Sequence, residues 1–160
     1  MITEFEYISA VKSFLESYPY ALPYKGLIAD YEQLTEHQNS DKDGAGAALR
    51  FAGDRIVLRR KNVLGQHVNT KTASFALVLY RLANDDVFGR DTVNSLTRLI
   101  NWVNDQNALR GTVDRNPMLP RFSMTNHEVI SASGGAQTAI LPDGRNEYQV
   151  QIVAEYQLTH

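Results

Sequence analysis

The sequence predicts an α+β domain, with two main helices packed on an antiparallel or mixed β-sheet. Three observations predict it. The chain opens with apolar residues at helical spacing, it closes with a long strict alternation, and the elements run helix, strands, helix, strands between them. At 160 residues the chain is long enough for one domain that buries a core without disulfides or a metal. The expected layout is a helix over residues 3–18, irregular chain over 19–46, and the sheet with the second helix over 47–158.

The opening helix is marked by Thr3 and Glu6, a capping box in which each side chain satisfies a free backbone donor of the first turn. Phe5, Ile8, Val11, Leu15 and Tyr18 recur at three or four residues, with Phe14 widening the stripe. Pro19 stops the helix, because it has no backbone donor. Beyond it Pro23 and Gly26 interrupt the chain and Leu27-Ile28 is a short apolar touch. The run Asp41-Lys42-Asp43-Gly44-Ala45-Gly46 reads as a polar loop, with a mobile tip expected near residues 38–46.

Strand-like sequence begins about Ala47. Gly53-Asp54 is expected to turn the chain between Leu49-Arg50-Phe51 and a strand from Arg55 to Lys61. A long strand should cover Thr72 to Leu82, with Ala73, Phe75, Leu77 and Leu79 on one face and Ala76, Val78, Tyr80 and Leu82 on the other. Apolar residues on both faces imply a central strand covered on two sides, by the chain itself or by a neighbouring subunit. A second helix should follow, N-capped by Asp91 and ending near Asn107, with Val93, Leu96, Leu99, Ile100 and Val103 buried and Trp102 at the stripe's edge. A strand from Glu128 to Ala132, loosened at Ser133-Gly134-Gly135, and a turn at Pro142-Asp143-Gly144 lead to the last strand, Tyr148 to Leu158. There Tyr148, Val150, Ile152, Ala154, Tyr156 and Leu158 alternate with mostly polar residues, as a sheet with one buried and one wet face requires.

Composition narrows the functional classes. The chain carries 16 basic and 18 acidic residues, so it lacks the overall basic field that holds nucleic-acid phosphates. It has no cysteine, which excludes disulfides, thiolate nucleophiles and cysteine metal sites. No apolar run approaches the ~20 residues that cross a bilayer. The first residues, Met1-Ile2-Thr3-Glu4-Phe5-Glu6, lack the basic-then-apolar pattern of a signal peptide. A protein acting where it is made, or in something assembled there, is expected.

Local spacing assembles no catalytic set. His37, His67, His127 and His160 are scattered. His127-Glu128 starts like a zinc-protease motif, but Ser131 stands where the second histidine belongs. Gly44-Ala45-Gly46 lacks the third glycine of a dinucleotide loop, since Leu49 stands there, and Asp41, Asp43 and Gly44 lack the bidentate glutamate of a calcium loop, with Ala52 in its place. Ser133-Gly134-Gly135 reads as a bulge or strand connection before an anion nest. No catalytic residue, cofactor or metal is assigned. The sharpest charge feature is Arg59-Arg60-Lys61 with Arg55 nearby. On a strand Arg59 and Lys61 share one face and Arg60 takes the other, either as edge protection or as a contact for an acidic neighbour.

Residues 61–158 resemble a family of small phage proteins, often labelled minor capsid proteins, that are similar to tail terminators. The resemblance lies in four features in order. A turn containing Gly65 leads to Ser74-Phe75-Ala76-Leu77-Val78-Leu79-Tyr80-Arg81, a strand ending in arginine. A helix begun by Asp91 ends in Asn101-Trp102-Val103-Asn104-Asp105-Gln106-Asn107. Leu119-Pro120 follows, and a strand-turn-strand closes the chain through Tyr148-Gln149-Val150-Gln151-Ile152 to Tyr156. The segment Ala108 to Met118 is longer than the family's usual link and is a candidate for subunit contacts.

The resemblance implies a tail-terminator-like subunit that forms a ring, a hexamer, on the head-proximal end of a long tail tube. Its partners there would be copies of itself, the tube protein and a head-completion or connector protein, in a virion assembled in the host bacterial cytoplasm. DNA would pass through the lumen unread, and no membrane is involved. Arg55, Arg59, Arg60, Lys61, Tyr80, Arg81 and Trp102 are the candidate interface residues, and tyrosines, eight in all, suit such contacts. The alternatives are another head-completion or tail-tube subunit of a phage or prophage, and a small-molecule enzyme or binding domain whose site forms only in three dimensions.

Overall fold

The computed structural model describes residues 2–20, 27–28, 46–82, 90–122, 128–140 and 144–159. Helix α1 spans Glu4–Glu16, and helix α2 spans Arg90–Ala108. The strands are β1, Leu27–Ile28; β2, Gly46–Lys61; β3, His67–Leu82; β4, Glu128–Ile140; and β5, Arg145–Thr159. They form one sheet in the order β1-β2-β3-β5-β4, in which only the short β1–β2 pairing is parallel. The fold is therefore α+β.

Thr3 caps α1 as its sequence implies: its hydroxyl accepts from Glu6 N–H and the Glu6 carboxylate accepts from Thr3 N–H. Tyr7, Val11, Phe14 and Leu15 face inward. Phe5, expected in the same stripe, is 77% exposed, because it lies about 160° around the helix from Tyr7. The helix ends at Glu16, before Pro19, with Ser17 as C-cap.

All four long strands run past the bounds their sequence suggested, β3 starting at His67 and β5 spanning Arg145–Thr159, and in β2 and β4 a bulge carries the strand on. Gly53-Asp54 does not reverse the chain. It is a bulge inside a continuous β2, where the register against β3 shifts between Phe51 and Gly53, and a second shift falls between Ile56 and Leu58. Gly53 has a φ of +117°, which lets the strand absorb the extra residue without ending. Likewise β4 does not stop at Ala132. It runs on to Ile140 through a register shift between Gly134 and Ala136, so Gly135 is the bulge. The true reversal between β2 and β3 is the loop at 62–66. Asn62 Oδ1 accepts from Leu64 N–H and Gln66 N–H there, and Gly65 has a φ of +78°.

Strand β3 is central, paired along its length with β2 and β5. Its Ala73, Phe75, Leu77 and Leu79 join Tyr148, Val150, Ile152, Ala154 and Tyr156 of β5 in the main core, which both helices cover. On the opposite face Val78 and Tyr80 bury with Ala48 in a second, smaller cluster. In α2, Leu96, Leu99 and Val103 are fully buried, whereas Val93 is 37% exposed. The helix begins at Arg90, which places Asp91 inside the first turn instead of at the cap. Gly46 belongs to β2, while the rest of the expected mobile tip, the Gly44-Ala45 loop, Pro142-Asp143, His37, His127 and His160 lie outside the described residues.

Candidate assembly surface

The two edges of the sheet are treated differently. At one edge, β1 pairs only with Ala47 and Ala48. From Leu49 to Lys61, no described strand pairs with the outer side of β2. This stretch exposes Ile56, Val57 and Leu58 in succession, at 38%, 45% and 50%. Around them stand Arg55, Arg59, Arg60 and Lys61, all exposed. The register places Arg59 opposite Asn69 and Lys61 opposite His67 on the helix side, and Arg60 opposite Val68 on the other. Val63 and Leu64, at the tip of the loop, are almost wholly exposed. A strand edge with no described neighbouring strand and an exposed apolar stretch is a surface suited to another chain, and the flanking cations select what approaches it.

At the other edge, β4 is closed by α2. Ala132 N–H donates to Asn104 Oδ1 at 3.0 Å, and Asn104 Nδ2 donates to Ala132 O at 3.2 Å. One turn further along, Asn107 Oδ1 accepts from Ile130 N–H at 2.8 Å. Asn104 and Asn107 are three apart and so lie on one helix face, from which they satisfy the outward backbone groups of alternate β4 residues. An asparagine amide supplies both a donor and an acceptor and mimics a neighbouring strand. The helix can approach this closely because Gly135 has no side chain: a Cβ there would lie 3.1 Å from Ile100 Cδ1 and 3.4 Å from Leu96 Cβ.

Of the seven residues singled out from sequence, Arg55, Arg59, Arg60 and Lys61 are brought together on the open edge. The other three are engaged within the chain. Tyr80 is 5% exposed in the small second cluster. Arg81 donates from Nη1 to the buried Thr92 hydroxyl at 2.8 Å, tying the end of β3 to α2. Trp102 stacks on Phe14 at 5.0 Å and meets Tyr18 edge-on at 5.1 Å, joining the two helices.

A polar network fastens α1 to the sheet beside the open edge. The Tyr7 hydroxyl donates to Asp54 Oδ2 at 3.1 Å and is hydrogen-bonded to the Tyr156 hydroxyl, while Lys71 Nζ pairs with Asp54 Oδ2 at 3.0 Å. The Lys71 ammonium holds the Asp54 carboxyl below the usual carboxylate range, against an opposing push from partial burial. Burial first, and the bond to Tyr156 second, drive the Tyr7 phenol well above its ordinary value. The Tyr7 ring stacks on Phe51 at 5.2 Å and packs against Phe75 and Phe122, so the network sits on an aromatic floor. Its members are a buried phenol pair and a partly exposed ion pair engaged with each other, an arrangement that anchors a helix.

Among the described residues, no group of three or more His, Cys, Asp or Glu side chains is placed to hold a metal ion, and no helix is long and apolar enough to cross a membrane. No protein-family model matches the chain, and no curated protein matches it.

Sequence reasoning found the cations of β2 and offered an edge strand as one of two readings, but could not choose between them, because strand order is a non-local property. It also passed over the role of Asn104 and Asn107. Their spacing on a helix that precedes an edge strand was the available signal.

Proposed function

We propose that this chain is a structural subunit of a phage or prophage virion: the tail terminator or minor capsid subunit, which caps the tail tube as a ring and joins it to the head. The observation that carries the reading is the unequal pair of sheet edges. One is sealed by Asn104 and Asn107 of α2, and at the other no described strand pairs with the outer side of β2 over Leu49–Lys61, where Ile56, Val57 and Leu58 are exposed. A subunit with one adhesive edge and one closed edge joins its neighbour through two different surfaces. Such heterologous contacts form a ring where the rotation from one subunit to the next closes. The resemblance over residues 61–158 supports the same reading, since the Gly65 turn, β3, α2 and the β4–β5 hairpin are consecutive parts of one sheet-and-helix unit. Virion localisation at the head-proximal end of the tail follows from this proposal.

Sedimentation velocity and negative-stain microscopy of the purified chain test it, alone and mixed with tail-tube protein. Rings are expected, and Ile56→Lys combined with Leu58→Lys should abolish them while leaving the monomer folded. A chain that stays monomeric at high concentration and in the presence of tube, or rings indifferent to those two substitutions, would refute the reading.

A further inference from the structure

A second surface, separate from the open edge, is concave and rich in guanidinium groups. The last turn of α2, the segment 109–121 and the first residue of β4 enclose a cleft of about 680 Å³. Among the described residues its wall includes Arg110, Arg115 and Arg121, with Asn107, Pro117 and Leu119 between them and one carboxylate, Glu128. That carboxylate is committed to the chain. Glu128 is 8% exposed, accepts from Phe122 N–H at 2.6 Å through Oε1, and accepts from Arg110 Nη1 at 3.2 Å through Oε2. The same Arg110 nitrogen also donates to Pro120 O at 3.0 Å, which fixes that guanidinium as part of the wall. Arg115 is exposed, and its side chain makes no hydrogen bond among the described residues. Asn107 lines the cleft and spends its carbonyl on Ile130 N–H, while its amide nitrogen makes no hydrogen bond among the described residues.

We propose that this cleft binds an acidic peptide segment, with Arg115 and Arg121 holding its carboxylates and Asn107 its backbone. Among the described residues of the wall three arginines stand with one glutamate, in a chain whose overall charge is −2. The arginines also oppose one another: Arg121 adds to the fall that burial causes in the pKa of Arg110, and Glu128 only partly offsets it. An incoming carboxylate relieves that repulsion and meets guanidinium forks whose spacing suits two parallel N–H···O bonds. The shape favours a peptide over a nucleic acid. Phosphodiester backbones are held by rows of cations along an extended surface, whereas these converge in one hollow that also offers Pro117 and Leu119 to aliphatic groups. The cleft includes part of the long 108–118 segment, and binding there does not depend on ring formation.

Fluorescence anisotropy with labelled hexaglutamate and the full chain tests the inference. Saturable binding is expected, weakening as salt is added. The exposed double variant Arg115→Ala/Arg121→Ala should lose affinity by roughly tenfold or more, with an unchanged circular dichroism melt. Arg59→Ala/Arg60→Ala, on the open edge, should bind as the parent does. Absence of binding would overturn the inference. So would a loss confined to the β2 variant, or displacement of the label at equal charge concentration by inorganic phosphate or by hexathymidylate.

Discussion

The seating of α2 on β4 depends on Gly135, and substituting it separates two costs that usually come together. Gly135 has a φ of +86°, and a Cβ there would sit 3.1 Å from Ile100 Cδ1 and 3.4 Å from Leu96 Cβ. Gly65 has a similar φ of +78° but nothing within 4 Å of its would-be Cβ. Alanine at Gly65 therefore incurs only the left-handed backbone cost, about 1–2 kcal/mol, less the ~0.4–1 kcal/mol gained by restricting the unfolded chain. Alanine at Gly135 adds an overpacking cost of about 1–3 kcal/mol. The lower half of that range applies to the Ile100 contact, because its Cδ1 is the free end of a side chain. The Leu96 Cβ, at 3.4 Å, is already at ordinary contact distance and adds little to that cost. Gly135→Ala should thus be less stable than Gly65→Ala by about 1–2 kcal/mol. Urea unfolding of both variants, followed by circular dichroism, measures the difference directly. Equal losses at the two positions would show that α2 does not rest on the bulge, and the account of the sealed edge would fail with it.

Replacing Asn104 by Ala removes both bonds to the Ala132 backbone and should cost about 1–3 kcal/mol. Because it reopens the β4 edge, light scattering on heating should rise at a lower temperature than in the parent; an unchanged onset and stability would contradict the edge-sealing role. The Asp54 carboxyl is held below its ordinary value in the folded chain, so its contribution is present above the unfolded pKa and is lost as pH falls through the folded one. The stability gap between the parent and Asp54→Asn should accordingly be constant near neutrality, about 0.5–1 kcal/mol for so exposed a pair, and should shrink only below about pH 4. Tyr7 has the opposite sign: its raised pKa gives stability that is complete below the unfolded value and is lost as pH climbs above about 10. Tyr7→Phe should lose less stability than the parent between pH 9 and about 11.5 in the same unfolding assay. A parallel decline in the two proteins would remove Tyr7 from the account.

Local pattern carried the sequence reading where a residue's neighbours along the chain decide its state. The capping box, the inward Val11, Phe14 and Leu15 of α1, and the alternation from Tyr148 to Tyr156 were all legible, because periodicity records burial, whereas the buried Tyr7 was missed. Gly53-Asp54 was misjudged because a bulge and a turn use the same residue types. Only the partner strand, β3, distinguishes them: it continues past the bulge, and so does the pairing. Phe5 was misjudged because an apolar residue on the outer helix face breaks the stripe's angle by one position, which is hard to distinguish from a widened stripe. Cations on β2 were visible, whereas the cleft around Arg110, Arg115 and Arg121 was not, since it also needs Asn107 from a helix and Glu128 from a strand brought together by the fold.

The charge on the open edge constrains how copies of the chain could meet there. A symmetric pairing of β2 with β2 of a second copy would bring Arg55, Arg59, Arg60 and Lys61 into range of their own counterparts, and like charges directly across an antiparallel pair are destabilising. Edge-to-edge pairing of β2 with β4 is opposed from the other direction, because Asn104 and Asn107 already occupy the outward groups of Ala132 and Ile130. Under the proposed reading the neighbour must therefore present a different surface, neutral or acidic, that covers Ile56, Val57 and Leu58. The first turn of α1 fits that description in composition, with Glu4 and Glu6 beside the exposed Phe5. A contact between that turn and β2 of the next copy uses two unlike patches on each subunit, and this is the geometry from which a closed ring is built.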